Sequence, residues 1–182
     1  MTSPHAMLEF IAIRDHRLMH KVNRWQPPRW IRLWMVCATR GGDGWLWYAM
    51  GIIILLFGGH ERFWAVGSAG IASALGILAF LNLKRITGRR RPCSIEPSCW
   101  ARLLPPDQFS FPSGHTITAF AVTVPMMHFY PDLTAGLLFC ACSIAISRIL
   151  LGLHFLSDVI AGAAIGMLLG FGSYSLLGVL AA

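Results

Sequence analysis

Charge is scarce in this 182-residue chain: Asp, Glu, Lys and Arg together make up 13% of it. Acids are scarcer still, 8 against 15 Lys and Arg, which leaves a net charge of +7. The few acids form no paired-carboxylate pattern and no HExxH is present, which disfavours metal-assisted catalysis. No second ligand pair lies near Cys93 and Cys99, as a zinc site would need. There is no convincing repeat and no low-complexity tract. The N-terminal stretch lacks an uninterrupted apolar core and a small-residue cleavage site, so it does not read as a signal peptide.

What is there is mostly apolar. Hydrophobic residues make up 55% of the chain and the mean hydropathy is +0.60, above the roughly 45–50% apolar content of soluble domains. Runs without charge cover 44–60, 63–83, 116–131, 133–147 and 159–182. A spanning helix needs about 20 apolar residues. The second and last runs reach that alone, and polar ends can extend the others. The expected fold is all-α: a polytopic membrane helix bundle of about five spans, built as a single domain over 1–182. The spans are expected near 45–60, 63–83, 114–130, 133–151 and 155–180. A polar loop over about 85–112 separates the second from the third.

Residues 1–43 read as interfacial helices, near 6–23 and 29–40. Arg14, Arg17, Lys21 and Arg24 recur at three- and four-residue spacing, with Leu8, Ile11, Leu18 and Val22 largely elsewhere on the helix. That is an amphipathic pattern for a membrane surface. The cations flank apolar runs, so lipid phosphates are the natural partner and nucleic acid is not. Gly162, Gly166 and Gly170 recur every four residues, a stripe that lets a neighbouring helix approach closely. Cys37, Cys140 and Cys142 lie in apolar segments and read as small hydrophobes. Cys93 and Cys99 lie in the polar loop, where a disulfide would mark an oxidising compartment.

Against this background three polar blocks stand out: Lys84-x6-Arg91-Pro92, Pro112-Ser113-Gly114-His115 and Ser147-Arg148-x5-His154-x3-Asp158. Charge at membrane depth is costly and marks function. An odd number of spans brings the N-terminal helices, the 85–112 loop and the 151–155 turn to one membrane face. His154 and Asp158 are four apart and would share a helix face, where a carboxylate can fix the imidazole tautomer. The same pair could simply cap a helix. Ser113 and Gly114 sit where a polar loop meets an apolar helix, a place that serves equally as an N-cap or an anion site. Lys84, Arg91 and Arg148 supply positive charge for phosphate oxygens. Arg85, Arg89 and Arg90 read as ordinary headgroup-binding cations. His5, His16, His20, His60 and His128 have no carboxylate at helical spacing inside a polar cluster.

In this order, with every position filled, the three blocks resemble the complete signature of the type-2 phosphatidic acid phosphatase superfamily over residues 84–158. The small size and surface helices are similar to the compact bacterial members, including undecaprenyl-pyrophosphate phosphatases. The resemblance implies an enzyme with no metal and no other cofactor. His154 would attack phosphorus to give a phosphohistidine, and Asp158 would orient it. His115 would protonate the leaving oxygen and then activate water. Lys84, Arg91, Ser113, Gly114 and Arg148 would bind the phosphate. The implied substrate is a lipid phosphate: undecaprenyl pyrophosphate or a related polyprenyl phosphate, with phosphatidylglycerol phosphate or phosphatidic acid as the alternative. The family also holds soluble vanadium haloperoxidases, which the membrane composition argues against. A non-catalytic lipid-phosphate transporter would need only the cations, so the His115, His154 and Asp158 set argues against that class.

Sidedness is pulled two ways. Of the 15 Lys and Arg, 13 lie in 1–44 or 84–102, which by the positive-inside rule puts the polar face in the cytoplasm. The family's site usually faces away from it. The expectation adopted is a multi-pass protein of the bacterial inner membrane with its site on the periplasmic face.

Overall fold

The computed structural model describes residues 4–95 and 107–181. Among these residues eight α-helices follow in order: α1 (Pro4–Arg24), α2 (Arg29–Gly41), α3 (Trp45–Phe57), α4 (Arg62–Thr87), the short α5 (Pro92–Ile95), α6 (Gly114–Phe129), α7 (Thr134–Leu150) and α8 (Leu156–Ala181). No strand occurs among the described residues. The chain folds as a membrane helix bundle, as the apolar runs predict. Gly59–Thr87, Pro131–Leu150 and Leu156–Gly178 are long and apolar enough to cross a membrane. The other two apolar helices are shorter: α6 has 16 residues and α3 has 13, a rise of about 20 Å for α3. The expected extension of α3 to residue 60 does not form. Tyr130 donates a hydrogen bond to the Gly58 carbonyl at 2.9 Å, and Gly59 takes φ +69°, so the helix stops there.

α6 is the central helix. Residues 121–126 are all buried, and α4, α7 and α8 pack around it. The glycine stripe of α8 faces it. A Cβ added at Gly162 would lie 2.8 Å from the Ser113 carbonyl oxygen; at Gly166, 2.5 Å from that of Ile117; at Gly170, 2.9 Å from Val124 Cβ. Only glycine allows this approach. The outside of the bundle is apolar: Ile52, Phe57, Leu78, Leu168 and Phe171 are exposed, as lipid requires and water would not.

The N-terminal helices lie against the bundle at the end that carries the polar blocks. α2 packs on α7 and α1 on α8. The face α1 turns inward carries Asp15, Met19 and Val22, all buried. A carboxylate in that row is not what an amphipathic pattern foretells.

Candidate active site

Gly88 ends α4 in the left-handed conformation (φ +55°), with its N–H on the Lys84 carbonyl at 3.1 Å. The chain then runs back past Phe109, which Arg90 meets in an isolated antiparallel bridge. This turn buries both cations of the first block. Asp107 links them: Oδ2 lies 2.6 Å from Lys84 Nζ, and Oδ1 lies 2.9 Å from Arg91 Nη2. Burial pushes the Asp107 carboxyl up, but the hydrogen bonds from Lys84 and Arg91 outweigh it and hold the group below its ordinary value. A phosphate reaching these cations must share them with Asp107 or displace it.

The third block is built on backbone. Gly152 takes φ +68° after α7, and the Arg148 carbonyl accepts from the N–H groups of both Leu153 and His154, each at 3.0 Å. His154 is thereby fixed in a turn before α8, and its side chain is buried. Nδ1 lies 2.6 Å from the Ser110 carbonyl oxygen. A carbonyl only accepts, so Nδ1 carries the proton and Nε2 keeps its lone pair. Nε2 lies 3.0 Å from Arg91 Nη1. Burial first, then the charges of Arg148, Arg91 and Lys84, push the His154 imidazole well below its ordinary pKa. It is a neutral base near pH 7.

The expected His154–Asp158 hydrogen bond on one helix face is not formed. His154 precedes the helix, and Asp158 Oδ2 stands 3.7 Å from Nδ1, too long for a hydrogen bond. Asp158 accepts instead from the Phe155 N–H at 2.8 Å and from Arg89 Nη1 at 2.7 Å. Its carboxylate charge still lies behind Nδ1. Arg89 is therefore not the headgroup cation the sequence suggests. It joins Asp158 to Asp15 on α1, its Nη2 2.7 Å from Asp15 Oδ2, and also donates to the Ser157 hydroxyl at 2.7 Å. Its guanidinium lies over the Phe155 ring, 4.3 Å from the centroid.

The second block opens α6. Ser113 is the N-cap residue, in extended conformation and without a side-chain cap bond. Its N–H bonds the Asp158 carbonyl at 3.1 Å, and its hydroxyl accepts from Thr116 at 2.9 Å, keeping its own proton to give. Gly114 lies under Phe80: a Cβ there would stand 3.2 Å from the ring. His115 Nε2 lies 2.6 Å from Asp43 Oδ1, in the turn between α2 and α3.

Arg148 is buried and donates from Nη1 to the Thr39 hydroxyl. Its Nε has no hydrogen-bond partner, and no carboxylate pairs with it among the described residues. A buried guanidinium without an anion is costly, so this cation is the one best placed to want a phosphate oxygen. Its charge and that of Lys84 also act on the His115 ring. Among the described residues no group of three or more His, Cys, Asp or Glu is placed to hold a metal.

The structure thus brings Lys84, Arg91, His154, Asp158, Ser113 and Arg148 into one connected cluster, with Gly114 and His115 adjoining. Sequence reasoning missed Asp15, Asp43 and Asp107 and misjudged Arg89. His128 keeps its plain reading, bonded through Nδ1 to the Val124 carbonyl at 2.7 Å. Cys99 and Arg102 lie outside the described residues, and with them the Cys93–Cys99 pairing.

The sequence model of the PAP2 superfamily matches residues 46–180. A decaprenylphosphoryl-5-phosphoribose phosphatase of Mycobacterium tuberculosis is 35% identical over 147 residues, covering 75% of this chain and 77% of that one. The crystal structure of Aquifex aeolicus LpxE superposes with a TM-score of 0.74 at 28% identity, over 87% of this chain and 93% of the other. The transmembrane PAP2-type phosphatidylglycerolphosphate phosphatase of Bacillus subtilis shares the fold, with a TM-score of 0.70 at 22% identity over 97% and 96% of the two chains.

Proposed function

We propose that the chain, which belongs to the PAP2 superfamily and is a membrane lipid phosphatase, dephosphorylates a polyprenyl phosphate or pyrophosphate through a phosphohistidine on His154. The observation that carries the mechanism is the His154 ring: buried, neutral, protonated on Nδ1 by the Ser110 contact, with its Nε2 lone pair against Arg91. Nε2 attacks phosphorus while Arg91 turns its Nη1 proton to a phosphoryl oxygen. Asp158 steadies the charge that develops on the imidazole. Lys84, Arg148, the Ser113 hydroxyl and the Gly114 N–H stabilise charge on the transferring group. His115 gives a proton to the leaving oxygen and then takes one from water.

Preference for a polyprenyl chain rests on the mycobacterial relative, whose name carries a decaprenyl phosphoryl substrate. The test is phosphate release by purified protein in detergent from undecaprenyl pyrophosphate, phosphatidic acid and phosphatidylglycerol phosphate, with and without EDTA. Faster release from the polyprenyl substrate, unaffected by EDTA and inhibited by vanadate, is expected. A strict need for added Mg²⁺ or Zn²⁺ would overturn the mechanism, and a faster glycerophospholipid would overturn the substrate. The site is assigned to the periplasmic face of a bacterial inner membrane. Trypsin added to spheroplasts should then cut near the exposed Arg85 and Arg90; protection of that loop until lysis would place the site in the cytoplasm.

A further inference from the structure

Two further side chains reach residues of the site, Thr39 from the last turns of α2 and Asp43 from the turn that follows it. Thr39 accepts the Arg148 hydrogen bond, and Asp43 holds His115 Nε2 at 2.6 Å. The turn that carries Asp43 is tightly specified. A Cβ on Gly42 would lie 3.2 Å from His115 Cδ2 and 2.9 Å from Ile144 Cγ2, so the backbone is pressed against the ring. Gly44 takes φ +121°, which a side chain resists. The Asp43 N–H bonds the Arg40 carbonyl at 3.1 Å. The Asp43 side chain is 53% exposed and that of His115 20%. A carboxylate at the rim, on a backbone built to hold it, thus fixes a ring that is mostly covered.

We propose that Asp43 is a positioning residue that fixes the tautomer and orientation of His115; this rests on the reading of His115 as the acid and base of the reaction. Asp43 accepts a hydrogen bond from Nε2–H, so Nδ1 is the nitrogen that exchanges a proton with substrate. In the first step the His154 Nε2–phosphorus bond forms as the phosphorus–oxygen bond breaks. His115 enters this step as the imidazolium: its Nδ1 proton passes to the leaving oxygen, and the neutral ring that remains keeps its Nε2 proton, hydrogen-bonded to Asp43. In the second step a water oxygen bonds phosphorus as the phosphorus–nitrogen bond breaks, and the water proton goes to Nδ1. A carboxylate behind a histidine sets which nitrogen works and how basic it is.

A role through the proton leaves a mark that loss of folding does not. An alkoxide leaving group needs the proton, whereas p-nitrophenolate leaves without it. The experiment measures kcat/KM for dioctanoyl phosphatidic acid and for p-nitrophenyl phosphate in wild type, Asp43→Asn, Asp43→Glu and His115→Ala, with the inhibition constant of inorganic phosphate. Asp43→Asn should lower the lipid value by about 10- to 100-fold, the scale on which partners behind a reacting group act, and the nitrophenyl value by far less. Phosphate inhibition should stay near wild type. His115→Ala should show the same discrimination more deeply, and Asp43→Glu should keep the wild-type ratio of the two substrates. Equal losses on both substrates in Asp43→Asn, or a ratio shifted as far by Asp43→Glu, overturns the role. If His115→Ala itself fails to discriminate while wild type is active, the acid assignment falls and the inference with it; a wild type that releases phosphate neither from these substrates nor from undecaprenyl pyrophosphate would instead refute the proposed function.

Discussion

His154 and His115 are both histidines beside an aspartate, yet their surroundings are built in opposite ways. His154 is enclosed. Backbone fixes its Cα, a carbonyl fixes its proton, and Asp158, Arg89 and Asp15 stand behind it in a chain of ionic contacts. His115 sits at the first turn of α6 and is held by one half-exposed carboxylate from a neighbouring turn. The difference fits the work assigned to each. An attacking nitrogen needs a fixed direction and a ready lone pair, so burial and neutralisation help it. A group that passes protons to and from substrate and water must keep contact with both, so it belongs at a rim.

The hardest test of this contrast is removal of the enclosed ring. His154→Ala should lower turnover by at least about 10³-fold, since nothing nearby can form the covalent intermediate. Thermal unfolding should still be cooperative. Phosphate release near the wild-type rate in lipid assays would dissolve the contrast. A smaller effect is expected behind the ring. Arg89→Gln leaves Asp158 and Asp15 buried without their shared cation, which should cost about 3–5 kcal/mol of stability. It should also lower kcat more than it raises KM, because Arg89 reaches the reaction only through Asp158. Denaturation monitored by tryptophan fluorescence, beside steady-state kinetics, checks both parts.

The smallest effect is a pH signature. The folded pKa of His154 is depressed well below the ordinary value of about 6.5. The unfolded chain therefore binds the proton first as pH falls. The stability from the neutral ring is full above about 6.5 and is lost progressively as pH drops from there towards the folded value. A His154→Asn variant should lack this component, so its melting temperature should fall less than that of wild type between pH 7 and pH 5. Parallel curves would mean that His154 is not held neutral.

Much of this arrangement can be read from the sequence, because lipid makes the code coarse. Apolar runs locate the helices to within a few residues, and the glycine stripe correctly predicts the close contact of α8. The three blocks gather at one end as predicted. What escapes is which carboxylate meets which cation. Asp15, Asp43 and Asp107 are separated from their partners by 16 or more residues, and no local spacing encodes such pairs. Asp15 is further disguised by a basic helix, and Arg89 by two arginines beside it. One signal was available: with so few acids, each Asp next to the polar face is a candidate partner. The His154–Asp158 spacing invites a helical reading that Gly152 spoils, because the turn it permits leaves His154 outside α8.

The glycine seam between α6 and α8 has a consequence beyond packing. α6 carries Ser113, Gly114 and His115 at its tip, and α8 carries Asp158 in its first turn, with the Ser113 N–H on the Asp158 carbonyl between them. The seam runs from that tip down past Gly166 and Gly170. It works as the rivet of a pair of tongs, setting the bite at the jaws from a point well below them. A leucine at Gly166 or Gly170, below Ser113 and Asp158 along the two helices, would alter how the two jaws close on a phosphorus.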